Sequence, residues 1–282
     1  MEIYNKQNEK KYLNLLFASR KIYNYVNYFN IASLTLSVLL ALIGLFDINK
    51  NIGVLILIAI MSSFVLFFQF AIPIMLKYAG NMRNYVDYSL FGIGNKIDNK
   101  DKITEITSKI CCLFKKQYHI QTTNSGDSKA RGVMNWYSKK ESNDMNEIIF
   151  HCQKENIWFD KKICTIYLLI IIILFIIINI IFIIINKNLA LEKLIIKYLL
   201  MFPILLDCTV IVINYKKYSK VSHNIYYQID SINKNNIIEE KELNKLQELI
   251  GIRREINFTP PNFIHRIISS YLHKIKSDIN NN

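Results

Sequence analysis

Residues 163–185 read ICTIYLLIIIILFIIINIIFIII. The stretch holds no charge, no Gly and no Pro, and Asn179 is its one amide. As a helix rising 1.5 Å per residue it is about 34 Å long, enough for a hydrocarbon core of about 30 Å. A helix apolar on every face belongs in a membrane or deep in a large core. Working outward, three more runs of this kind appear, at 31–46, 52–76 and 194–215. A chain of 282 residues has too little polar mass to wrap four such helices, so the reading is a membrane span for each.

The runs pair off. About five residues around Asp47 and Lys50 join the first two, and 186–193 join the last two. Both links suit antiparallel helical hairpins. The expected fold is an all-α membrane protein with two transmembrane hairpins, 30–76 and 163–215. Its polar segments are 1–29, 77–162 and 216–282.

Of the 35 Lys and Arg residues, 31 lie in 1–29, 77–162 and 215–282, many beside span ends, as at Lys77, Arg83, Lys161, Lys162, Lys216 and Lys217. The positive-inside rule puts that side, with both termini, in the cytosol of a bacterial inner membrane. The net charge of +13 then reports topology and needs no DNA or RNA partner. The N-terminus opens with polar residues and lacks the pattern of a cleaved leader. Of the five cysteines, Cys164 and Cys208 fall in apolar runs, and the rest in segments assigned to a reducing cytosol, so no disulfide framework is expected.

The polar segments read as helices. Apolar residues recur at helical spacing over 7–29, 103–114, 237–252 and 263–275. Residues 122–128 (TTNSGDS) read as a loop. Ser142 is placed to cap the next helix, and no Gly or Pro intervenes from there to Ile185, which predicts one unbroken helix into the third span. Together 77–162 and both tails predict a helical cytosolic domain.

The chain carries no P-loop, G-x-S-x-G, H-E-x-x-H or G-x-G-x-x-G pattern, and no paired C-x-x-C, so an enzyme, a cofactor and a metal site are not expected. His151 and Cys152 are consecutive, and consecutive side chains on a helix point about 100° apart. One acid lies at depth in a span: Asp207, in the fourth. An ionisable group there costs roughly 2.5–3.5 kcal/mol to insert, so it turns away from lipid. It either lines a wet pore or bundle centre or bonds a neighbouring helix, with Gln69 and Asn179 as the available amides. Pro203, one turn earlier, is a kink candidate.

The richest polar patch is Arg131-Gly-Val-Met-Asn135-Trp136-Tyr137, followed by Gln153, Asn156, Trp158 and Asp160. Aromatics stack on nucleobases, amides read their edges and guanidinium binds phosphate. Arg253 and Arg254 add two cations from the C-terminal segment. The alternative is that Trp136 and Trp158 are core residues or membrane-proximal anchors.

Three elements in order resemble a known group. They are Asp87-Tyr88-Ser89-Leu90-Phe91-Gly92, Trp136-Tyr137 and Cys152-Gln153-Lys154-Glu155-Asn156-Ile157-Trp158-Phe159-Asp160. With four spans in a 2+2 pattern, the chain resembles the S-4TM family, SMODS-associated four-transmembrane pore-forming effectors of bacterial antiphage systems. The family tail carries Pro-Asp-Trp, then Tyr and Arg. Here Pro261-Asn262-Phe263 stands in its place, with Arg266 following, and no Lys precedes Trp136 in the local pattern.

The resemblance implies a CBASS-type effector. It would be gated by a cyclic oligonucleotide that a nucleotidyltransferase makes, bound around Arg131, Asn135, Trp136, Tyr137, Gln153, Asn156, Trp158, Arg253 and Arg254. Homo-oligomers would then disrupt the inner membrane in abortive infection. Asp87, Phe91, Asp160, Pro261 and Arg266 would be structural, and Asp207, Pro203, Asn179 and Gln69 interior to the bundle. The competing readings are a membrane-anchored scaffold or signalling protein and a small channel or transporter.

Overall fold

The computed structural model of the chain describes residues 2–44, 52–93, 99–126, 128, 130–156, 160–234, 238–258 and 260–261. Among them stand ten helices: α1 (Glu2–Lys6), α2 (Lys10–Ile43), α3 (Ile52–Phe91), α4 (Lys100–Leu113), α5 (Lys115–Thr123), α6 (Met145–Glu155), α7 (Asp160–Asn186), α8 (Leu191–Leu199), α9 (Phe202–Lys234) and α10 (Glu240–Arg254). The one sheet-like pairing among the described residues is an isolated bridge between Ser125 and Met134. The link around 47–50, Trp158, Arg266 and the 263–275 helix lie outside the described residues.

Three helices are long and apolar enough to cross a membrane: Lys10–Ile43, Ile52–Phe91 and Cys164–Asn186. Their apolar side chains are exposed in rows, such as Leu169, Ile173, Ile176, Ile180 and Ile183 on α7, and Leu55, Phe67, Phe70 and Ile74 on α3. Exposed apolar surface on that scale is the mark of a lipid-facing helix.

The expected straight helix over 194–215 is instead two helices, α8 followed by α9, bent by 55° at the break; the count of spans is four when the pair is taken as one crossing and three otherwise. Pro203 stands in the first turn of α9 and has no N–H to offer the Leu199 carbonyl, so the helix cannot run through. Short turns fill the gap, with Leu200 N–H donating to Lys197 (3.1 Å) and Met201 N–H to Tyr198 (2.9 Å). The apolar part of α9 alone, up to Ile213, rises about 18 Å, short of the core's about 30 Å, so a full crossing needs α8. Lys197 Nζ reaches Asn186 Oδ1 at 3.1 Å, tying α8 to the end of α7.

The predicted helix from 142 to 185 is also in two pieces. α6 ends at Glu155, and α7 begins at Asp160. Asn156 closes α6. Its amide donates to the Tyr137 hydroxyl (3.1 Å), and its carbonyl accepts from Arg253 Nη2 (2.6 Å), so the oxygen a longer helix needs is taken. At the other end, Asp144 rather than Ser142 is the N-cap, accepting from Asn146 N–H at 2.9 Å. Ser142 instead donates to Glu147 (2.9 Å) and accepts from Asp144 N–H (3.1 Å).

The chain forms two compact units. The first comprises Met1–Tyr25, Ile74–Trp158 and Ser219–Ile256; the second, Val26–Pro73, Phe159–Tyr218 and Asn257–Asn282. In the first, α6 packs on α10, and Ile148, Ile149 and Cys152 on the one and Leu243, Leu246 and Ile250 on the other are buried. In the second, Ala41, Phe182, Met201 and Ile204 make one buried cluster, and Leu40, Met61 and Val65 another.

Candidate functional site

In the first unit, Arg83 and Asn84 stand four and three residues before Asp87 on α3, so each neighbours Asp87 on the helix surface. Opposite that surface runs α10, with Gln247, Gly251 and Arg254 at the same spacing. Gly251 permits the close approach, for a Cβ there would lie 2.9 Å from Asn84 Nδ2. Asp87 is buried and accepts from three partners: Arg254 Nη2 (2.7 Å), the Tyr137 hydroxyl (2.6 Å) and Gln247 Nε2 (3.0 Å). Arg254 also donates to Asn84 Oδ1 (2.9 Å), and its carbonyl accepts from the Tyr23 hydroxyl (3.2 Å). Gln153 donates to the Leu243 carbonyl (2.9 Å) and to Gln247 (3.2 Å).

Burial, reinforced by the Asp87 charge, pushes the Tyr137 hydroxyl well above its ordinary pKa, so it remains a donor. Burial pulls Arg254 down, but Asp87, Tyr137 and Tyr23 together more than offset this and leave it raised. Arg83 is pulled down by burial, with Tyr23 and Asp87 too weak to reverse it. Its guanidinium lies over the rings of Trp136 (4.7 Å) and Tyr23 (5.0 Å), and its buried Nε has no hydrogen-bond partner. Around Asp87 the described residues thus set two guanidinium groups, Arg83 and Arg254, with exposed Glu255 at the edge beside Lys77.

Tyr137, Gln153, Asn156, Arg253 and Arg254 therefore meet in one buried network. Trp136 sits at its margin beneath Arg83. Asp87 is the centre of the network, and Phe91 packs on the Tyr137 ring (5.6 Å). Arg131 and Asn135 are not in it. The Arg131 side chain is exposed, and Asn135, at φ 51, exchanges hydrogen bonds with Asn8 (2.8 and 2.9 Å). Asp160 is the first residue of α7, and Pro261 is buried. Arg83, Asn84 and Gln247 escaped the sequence reading. The signal for Arg83 was an opposite charge four residues on, at Asp87.

The loop that carries Trp136 and Tyr137 is fastened at Gly132. Its N–H donates to Ser125 (2.7 Å), and the next two N–H groups donate to Gln121 (2.7 Å) and Asn124 (3.0 Å). A Cβ at Gly132 would fall on the Asn124 carbonyl and 2.6 Å from that of Gln121. Gly132→Ala should cost about 2 kcal/mol through this clash. The check is a lowered unfolding midpoint with a red shift in tryptophan emission. An unchanged midpoint would refute the packing described.

His151 and Cys152 part company. His151 meets Ser138 (3.3 Å) and Glu155 (3.8 Å), while Cys152 is buried and its thiol is pushed up to about 12, chiefly by burial. A thiol held protonated is a poor nucleophile and a poor metal ligand.

In the second unit, Asp207 on α9 is 3% exposed and, among the described residues, accepts from neutral donors. Ser33 Oγ lies 3.1 and 3.2 Å from its two oxygens, Ser37 Oγ lies 2.7 Å from Oδ2, and Gln69 Nε2 donates to Oδ1. Gln69 is the partner the sequence offered. Asn179 is not, because its amide bonds the Phe175 carbonyl of its own helix (2.9 Å). Ser33 and Ser37 stand four residues apart on α2 and so share one face. A cavity of about 30 Å³ opens beside the carboxylate, lined also by Asn30, Asn214 and Asn257. That suffices for a water molecule with polar partners. Pro203 lines a different, apolar crevice with Leu40, Val65 and Leu206.

A family model described as the SMODS-associating 4TM effector domain matches residues 1–275. No curated protein and no solved structure matches the chain.

Proposed function

This chain belongs to the SMODS-associating 4TM effector family, and on that premise we propose that it is a cyclic-oligonucleotide-gated, pore-forming effector of antiphage defence. In this reading the signal is a cyclic nucleotide made by a SMODS nucleotidyltransferase. The chain sits in the bacterial inner membrane with both termini in the cytosol, as its Lys and Arg distribution favours. Four spans are too few for a wide pore, so copies of the chain assemble.

The observation that carries the reading is Arg83, held beside Asp87 over two aromatic rings with its buried Nε unsatisfied. A cyclic oligonucleotide brings what this cluster lacks. Its phosphodiesters are anions for Arg83 and compete with Asp87 for Arg254, and its bases have flat faces for Trp136. The ligand opens the protein only if it binds the opened cluster more tightly than the closed one. Displacing Arg254 from Asp87 is an event that distinguishes those two states.

The test is release of a self-quenched dye from liposomes that hold the purified protein, with a panel of cyclic di- and trinucleotides. One ligand should cause release. Its affinity should fall by about 10- to 100-fold in Arg83→Ala, the loss of a charged hydrogen bond, and less in Arg83→Lys. Trp136→Ala should fall comparably. Ligand binding without release from inserted, folded protein would favour the scaffold. Release with undiminished affinity in both variants would remove the cluster as the sensor.

A further inference from the structure

We propose that Asn257 and Phe258 form a removable plug that closes the Asp207 chamber from one side. The proposal rests on the pore reading above and names the device that keeps the pore shut. Both residues line the chamber beside the carboxylate. Phe258 is 4% exposed and lies among three tyrosines from two helices, with ring centroids 5.7 Å from Tyr167, 5.3 Å from Tyr215 and 5.7 Å from Tyr218. Asn257 and Asn30 exchange amide hydrogen bonds, 3.1 Å one way and 3.4 Å the other. The segment therefore joins α2, α7 and α9 at one end of the chamber.

Three features mark it as removable. Residues 257 and 258 belong to no helix, so they can leave without unwinding one. Their attachments are a paired amide and ring contacts, neither covalent nor ionic. Irregular backbone within a spanning bundle is tolerated where protein buries it or where it borders a wet cavity. Here it does both.

The test uses full-length protein in nanodiscs with Ser33→Cys, which sets a thiol in the chamber where the serine is 2% exposed. Modification by a small cationic methanethiosulfonate is read by peptide mass. With Phe258 and Asn257 intact the thiol should be protected. In Phe258→Ala, or in the milder Asn257→Ala if the first does not fold, its rate should rise about ten-fold or more, as expected when a well-buried anchor is lost. Dye release is measured on the same two variants without nucleotide. Faster modification with spontaneous release supports plug and pore together. Faster modification without release supports the plug and overturns the pore reading. An unchanged rate in folded Phe258→Ala and Asn257→Ala overturns the plug, whatever the dye does.

Discussion

Arg254→Ala is expected to lower the stability of the protein by about 3–5 kcal/mol, the cost of stranding a buried charge. The pair lies at 2.7 Å with both side chains under a tenth exposed. Removing the guanidinium leaves the Asp87 carboxylate with only the Tyr137 hydroxyl and the Gln247 amide, and leaves Asn84 Oδ1 without its donor. Thermal unfolding in detergent, followed by near-ultraviolet circular dichroism, measures the loss. Asp87→Leu with Arg254→Met should recover part of it, because no charge is then stranded. The remainder belongs to Tyr137 and Gln247, which lose their acceptor. A loss below about 1 kcal/mol in Arg254→Ala would mean that the pair is solvated like a surface ion pair.

Asp207→Leu should abolish ion flux while leaving the fold intact. A carboxylate attracts a monovalent cation 4 Å away by about 4 kcal/mol at an effective dielectric of 20, so flux should fall by at least about 100-fold once the charge is gone. The structural loss is smaller. Ser33 and Ser37 can turn their hydroxyls back to carbonyls of their own helix, as serines in helices do. Only the Gln69 amide is left without a partner, at about 1–3 kcal/mol, and the apolar side chain offsets this by easing insertion. Ligand-triggered potassium efflux and the unfolding midpoint of the same preparation separate the two effects. Retained efflux in a folded Asp207→Leu protein would relegate the carboxylate to helix packing.

Much of this was legible in the residues, for physical reasons that differ from place to place. The span at 163–185 needs no partner to declare itself, because composition alone decides whether a helix prefers lipid. The break between α8 and α9 was half legible. Pro203 announced it, but the 55° bend depends on how Met201 packs against Ala41 and Phe182. The end of α6 was illegible. No Gly or Pro marks it, and the chain stops there because Tyr137 and Arg253, far away in sequence, take the Asn156 amide and carbonyl.

The polar network shows the same division. Its residue types were visible as aromatics, amides and arginines. Their meeting point was not, since Asp87 is brought to Arg254 by tertiary packing alone. Arg83 was passed over for the cluster because a cation beside a span end satisfies the topology rule and so invites no second question. At Asp207 the amide of Gln69 was foreseeable as a strong donor in lipid. Ser33 and Ser37 were not, since serine in a span reads equally well as a small packing residue.

The closing ion pair also sets a clock. Asp87 leaves the ribosome 167 residues before Arg254 does. At 5–20 residues per second that is an interval of about 10–30 s. Throughout it the first two spans are already made, yet the carboxylate lacks Arg254 and residues 257 and 258 do not exist. A nascent chain is thus most exposed to mishap late in its synthesis, and translation that halts after the fourth span yields a product without its own restraint. If the proposed pore reading holds, the order of synthesis is a hazard that falls on the cell that makes the protein.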